Sequence, residues 1–177
     1  DSASGREFAL VGLIEGTAFV EVTTPEAPVY LGTLPSATDP SPWRDVKTYA
    51  DHAFIVSEAS GHGIQVFDLS RLLSVASPPV TFTDDARYAG IGSAHNIVIN
   101  EATGFAYAVG SRQSGGLPAA CDVRGFHAVD VSTPTAPVFS TCFSDVASET
   151  GPRSPGYTHD AQCVVYSGPD TDHTGKE

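Results

Sequence analysis

Three short stretches pair a cationic or imidazole side chain with a carboxylate or carboxamide, directly ahead of an apolar run. They are Arg44-Asp45 in "WRDVKTYA", His95-Asn96 in "SAHNIVIN" and His159-Asp160 in "YTHDAQCVVY". Neutral imidazole is the commonest metal ligand, so His95 and His159 are candidate ligands for a transition metal. Arg44, Asp45, His95, Asn96, His159 and Asp160 together would make a polar rim suited to an anionic or hydrogen-bonding ligand. The structural alternative is that Asp45, Asn96 and Asp160 bond backbone amides while the histidines pack beside them. A second cluster closes the sequence: "DTDHTGKE" reads D-x-D-x-T-G. Oxygen ligands at alternate positions followed by glycine are what a calcium loop needs, which makes Asp170, Asp172 and Thr174 candidate calcium ligands and Gly175 the sharp turn. The same residues also suit a plain Asp/Gly turn. His62, between two glycines in "SGHGIQ", is expected in an exposed turn. No Ser-His-Asp order and no nucleophile elbow is present.

Whether these residues can meet depends on the elements that carry them, and those elements repeat. Three segments align: residues 8–34, 52–83 and 105–143. Each starts with an apolar strand ("ALVG", "AFIVS", "AYAVG") and turns through Gly16, Gly63 or Gly125. Each continues with a strand ending at Glu21, Asp68 or Asp130, followed within two residues by Ser or Thr. A proline turn and a third strand follow ("APVYLGTL", "PPVTFT", "APVFSTCF"), with Pro28, Pro79 and Pro137 spaced 51 and 58 residues apart. Short β-branched and aromatic strands bounded by turn residues describe antiparallel meanders, and about four strands per 40 to 60 residues is the signature of a β-propeller blade. The acidic residue of the second strand suits a local turn, because Asp side chains bond nearby backbone amides. Only residues 68–77 read as helical, with Asp68 or Ser70 as cap. "LPSATDPSP" and "SDVASETGPRSPG" read as loops. The expected fold is all-β: one domain over residues 1–177, part of a propeller, with about three four-stranded antiparallel blades from repeats at about 6–51, 52–104 and 105–166. The Arg/His-Asp/Asn pairs begin the fourth strand-like run of each unit. The innermost strand of a blade lines the channel, so these positions would form a ring at its mouth.

Composition narrows the partners. The 177 residues are enough for one core, with 41% hydrophobic and 17% charged residues. The formal charge is −12 and the nine Lys and Arg form no cluster, which excludes a nucleic-acid groove. No apolar run is long enough for a transmembrane helix. The sequence lacks methionine, and the expectation is a processed chain or a piece of a longer one. Cys121, Cys142 and Cys163 lack zinc spacing. Cys121 and Cys142 bracket one repeat segment and would pair in an oxidising compartment, leaving Cys163 over; three buried thiols is the alternative.

The stretches "GTAFVEVTTPEAPVYLG", "WRDVKTYADHAFIVSEASGHGIQVFDLSRL", "SAHNIVINEATGFAYAVG" and "YTHDAQCVVYSGPDTDHTGKE" together cover nearly the whole chain. In them the sequence resembles the choice-of-anchor B family, bacterial secreted or surface proteins built from LVIVD-type propeller repeats. The resemblance implies a chain with about three blades, lacking the first inner strand and the distal blades. It supplies no reaction to carry over. The leading expectation is a secreted or cell-surface scaffold that binds an extracellular protein, glycan or other ligand, with calcium stabilising a loop. The competing readings are a metal-dependent enzyme with His95 and His159 at the channel mouth, and a structural protein that self-associates through open blade edges.

Overall fold

Short apolar runs broken by Gly, Pro and Asp every few residues leave the backbone little choice but strands joined by tight turns. The computed structural model describes residues 1–113, 121, 125–144 and 156–176. In chain order the strands are β1 (Phe8–Leu13), β2 (Gly16–Glu21), β3 (Val29–Pro35), β4 (Arg44–Tyr49), β5 (His52–Ser57), β6 (Ile64–Asp68), β7 (Val80–Thr81), β8 (Ala86–Tyr88), β9 (Ile91–Ser93), β10 (Asn96–Asn100), β11 (Phe105–Val109), β12 (Arg112–Gln113), β13 (Phe126–Asp130) and β14 (Val138–Phe143). The loop expected at residues 144–156 lies largely outside the described residues, as do residues 114–120 and 122–124 next to Cys121.

The fold is all-β. Among the described residues there are three four-stranded sheets, ordered β1-β2-β3-β7, β4-β5-β6-β8 and β10-β11-β13-β14, and a two-stranded sheet of β9 and β12, and they do not close into a ring. The repeat is visible in the register. Phe8 pairs with Glu21, His52 with Asp68, and Phe105 with Asp130, so the acidic strand ends occupy one equivalent position. Asp68 Oδ1 accepts from Ser70 N, and Asp130 Oδ1 from Ser132 N, both at 2.9 Å. These are the expected turns. Glu21 differs: Arg6 grips it with two bonds of 2.9 and 2.8 Å and holds its carboxyl at about 2. Asp68 also caps the single-turn-and-more 3-10 helix Leu69–Ser74, as its sequence indicated.

Two features depart from the repeat reading. The run "PPVTFT" does not complete its own unit. Its strand β7 crosses to the first sheet and pairs in parallel with β3, Gly32 opposite Val80. Gly32 has a φ of +145°, and a Cβ there would collide with the Val80 carbonyl, so glycine is what admits the crossing strand. The fourth strand of the second sheet is instead β8, antiparallel to β6. The sheets are also cut differently from the sequence units, since β4 pairs with the following strand β5 through a hairpin whose Ala50 and Asp51 both have positive φ.

β5 is apolar at successive positions because it is buried on both faces. Ala53 and Ile55 join Phe19, Leu31, Leu34, Phe67, Leu72 and Phe82 in the core between the first and second sheets. Phe54 and Val56 join Ile64, Val66, Ile97, Ala106, Ala108 and Val129 between the second and third. Phe67 stacks on Phe19 at 4.5 Å and meets Phe82 edge-on at 5.1 Å. Burying one such ring stabilises by about 1.5–3 kcal/mol. Cys121 and Cys142 form a disulfide with Cα atoms 5.4 Å apart, tying Cys121 to β14.

Candidate functional site

The three Arg/His-Asp/Asn pairs begin β4, begin β10, and sit in the stretch after residue 156, which carries no strand among the described residues. In the first two pairs the members act in opposite directions along the fold. Asp45 and Asn96 reach forward. Asp45 Oδ2 accepts the Ile97 amide of β10 at 3.1 Å while its Oδ1 accepts the Val46 amide at 2.9 Å. Asn96 Nδ2 donates to the His159 carbonyl at 3.2 Å. Asp160 Oδ1 accepts its neighbour's amide, from Ala161, at 2.8 Å, repeating the first half of the Asp45 pattern. Lys47 adds a surface ion pair to Asp45 at 2.7 Å. The carboxylate and carboxamide thus couple each inner segment to the next.

Arg44 and His95 reach backward. Arg44 Nε donates to the Leu13 carbonyl at 3.2 Å, and its terminal nitrogens lie 2.9 Å from Ser36 Oγ and 2.9 Å from His62 Nε2. His95 Nδ1 lies 2.5 Å from Glu58 Oε1, just beyond β5, and its amide donates to the Val109 carbonyl at 3.0 Å. His95 and His159 come together, ring centroids 4.2 Å apart and tilted by 52°. Gly110 makes room for this contact: at φ +57°, a Cβ would stand 2.8 Å from His95 Cβ and 3.1 Å from Tyr157 Oη. The structure therefore brings together His95, Asn96 and His159, with Asp160 exposed beside them. Arg44 turns to different partners.

His62 was expected at the surface and is instead fully buried. Its Nδ1 donates to the Gly63 carbonyl at 3.1 Å, which leaves Nε2 to accept from Arg44. Burial, reinforced by the charges of Arg44 and Arg87, pushes it down to about 4, so it is a neutral acceptor at pH 7. His127 escaped the sequence reading altogether. It is buried on β13, with Nε2 2.7 Å from Tyr88 Oη. Burial drives the imidazole down to about 4 and the phenol up to about 12. A signal existed: the aligned second strands carry Gln65 and His127 at one position, three residues before the acidic end, where the pattern is otherwise apolar.

At the other candidate site, Asp170 Oδ1 accepts the Asp172 amide at 3.0 Å and the Asp170 carbonyl accepts from Thr174 Oγ1 at 3.5 Å. Gly175 takes φ +76°, and Tyr166 and Gly175 close the turn with a 2.9 Å backbone bond. The sequence reading of a sharp turn at Gly175 fits. Among the described residues, no group of three or more His, Cys, Asp or Glu side chains is arranged to hold a metal ion.

A cavity of about 440 Å³ lies away from both clusters, between β1 and the end of β4, lined by Phe8, Leu10, Tyr49, Leu69 and Leu72 among others. No helix among the described residues is long and apolar enough to cross a membrane. No protein-family profile matches the chain, and no curated protein matches it significantly.

Proposed function

We propose that this chain is a propeller-type binding scaffold of a secreted or cell-surface protein, similar in its repeats to the choice-of-anchor B family. Its polar rim, with Glu58, His95, His159 and Asp160, receives an extracellular protein or glycan. One observation carries this reading. The Asp and Asn of the paired positions couple neighbouring blades and Arg44 is taken up by Leu13, Ser36 and His62, so the repeated residues build architecture instead of converging on a reacting atom. What is left at the surface is a small imidazole-carboxylate patch suited to hydrogen-bonding a ligand. The disulfide favours an oxidising location.

Elemental analysis of the protein after gel filtration, for the parent chain and the His95→Ala/His159→Ala variant, tests the reading against a metal-dependent enzyme. The scaffold reading expects no stoichiometric transition metal. A transition metal bound one to one and lost in the variant would overturn it. The same measurement tests calcium at Asp170, Asp172 and Thr174. A second reading, association of copies through open blade edges, is favoured by the exposed apolar residues Val11 and Leu13 on the first sheet and Val138 and Phe143 on the third.

A further inference from the structure

The chain has one tryptophan, Trp43, and it stands 56% exposed just ahead of β4. Its backbone is clamped. The Glu58 amide and Ser57 Oγ donate to the Trp43 carbonyl at 3.2 and 3.1 Å, and the Trp43 amide donates to Ser41 Oγ at 3.3 Å. Ser41 is itself buried, and its amide donates to the Ile14 carbonyl at 3.0 Å. Pro40 and Pro42 fix φ on either side of it. The indole makes no hydrogen bond, ring contact or cation contact among the described residues. A large ring on a backbone already held in place loses little freedom when a ligand covers it.

Register places that ring. Arg44 pairs with Ser57 across β4 and β5, and the bond from the Glu58 amide carries the ladder one step further, so Trp43 stands opposite Glu58. Directly opposed residues of an antiparallel pair project from the same face, with Cβ atoms about 5 Å apart. Here that face is turned to the third sheet, because Glu58 Oε1 meets His95 Nδ1. Arg44, one residue on, turns the other way, to Leu13 and Ser36. The indole therefore borders the patch of Glu58, His95 and His159.

We propose that Trp43 is the stacking platform of this rim and that the ligand it receives is a neutral polysaccharide. The inference rests on the rim reading above and names its ligand class. A pyranose ring has a face of C–H bonds and an edge of hydroxyls. The C–H face carries partial positive charge and suits the electron-rich face of an indole. The hydroxyls both donate and accept, so they satisfy Glu58 Oε2, which only accepts, and His95 Nε2 in either tautomer. An anionic chain is disfavoured. The net charge is −12, Glu58 and Asp160 border the site, and the two cations of β4 are taken up, Lys47 by Asp45 and Arg44 by Leu13, Ser36 and His62. Glu58 already shares its carboxylate with His95, and a single ring makes no aromatic cage, which disfavours a cationic ligand as well.

Native gel electrophoresis through soluble hydroxyethyl cellulose, xyloglucan, galactomannan and amylose tests this, with polygalacturonate and poly-lysine as charged probes. Because Trp43 is the one tryptophan, its emission reports on the site alone. At least one neutral polymer should retard the parent chain, shift the emission to shorter wavelength and shield it from acrylamide. Trp43→Ala should weaken the retardation at least about tenfold, and Trp43→Phe should keep part of it. The clamping bonds use the backbone of residue 43 and the side chains of Ser41 and Ser57, so both variants should keep the parent far-UV circular dichroism. No retardation by any neutral polymer would overturn the inference. An emission response to polygalacturonate or poly-lysine alone would also overturn it and leave the rim as a binding surface. Retardation that survives Trp43→Ala but is lost in Glu58→Ala or His159→Ala would keep the rim reading and remove Trp43 from it. Retardation that survives all three would overturn both.

Discussion

Acidification from pH 7 to pH 4.5 should destabilise this protein through two histidines, before its carboxylates contribute. His62 and His127 each titrate near 6.5 when unfolded and at about 4 in the fold, because burial disfavours the imidazolium. Above pH 6.5 both states carry neutral rings and stability is complete. Between 6.5 and about 4 the unfolded chain binds a proton that the fold excludes, so stability falls as pH falls. At about 1.36 kcal/mol per unit, each histidine removes about 2–3 kcal/mol by pH 4.5. Two of them would consume a large share of a typical domain's 5–15 kcal/mol. Glu21, held at about 2 by Arg6, loses its contribution only as pH falls below its ordinary 4.5, outside this window. The assay is a urea titration at pH 7 and pH 4.5, on the parent and on His127→Gln, whose amide oxygen can still accept from Tyr88 Oη. The variant should lose about 2–3 kcal/mol less than the parent over that interval, with an unchanged urea slope. Parallel losses in parent and variant would refute the argument, because they would mean that His127 is protonated inside the fold at little penalty.

Three further outcomes follow from the geometry. Replacing Cys121 and Cys142 together by serine opens a loop spanning 21 residues and should lower stability by about 3 kcal/mol, read as a lower urea midpoint. Asp45→Ala leaves the amide of buried Ile97 without its charged acceptor and should cost about 2 kcal/mol in the same titration, with Asp45→Asn milder because its oxygen still accepts. Gly32→Ala forces a side chain into a left-handed backbone and against the Val80 carbonyl. It should cost at least about 1–3 kcal/mol and expose the stretch around β7 to limited proteolysis, seen as new cleavage sites near residue 80.

Much of the architecture was legible because the repeat is written in local terms. The acidic end of each second strand, the following Ser or Thr and the proline turn mark strand ends by backbone chemistry alone, and Asp68 and Asp130 make the turns foreseen for them. The bracketing cysteines also pair as expected, Cys121 with Cys142 of β14. Legibility failed where a residue's partner lies in another sheet. "PPVTFT" has the composition of an outer strand, and nothing local says that it belongs to the preceding sheet; that choice is made by Gly32, nearly fifty residues earlier. His62 sits between glycines, which usually means exposure, but the fold covers the turn with Arg44 and Arg87. At the candidate site, the sequence aligned Arg44 with His95 correctly and left open what they do. Their backward reach to Leu13 and Glu58 depends on sheet-to-sheet placement that no spacing encodes.

The crossing of β7 changes what kind of repeat protein this is. In an ordinary array each unit touches only its neighbours through a surface, and units can be added or dropped with an energy that sums along the chain. Here the second unit donates backbone to the first, as β7 completes the edge beside β3. The two are spliced, not stacked. A ribosome that has made β3 has not yet made the last strand of that sheet, which is whole only once Val80 and Thr81 have been added. In heredity the consequence is the same: losing residues 52–104 alone would leave β3 without β7 and β11 without β10, so no unit can be lost without opening the sheets on both sides of it.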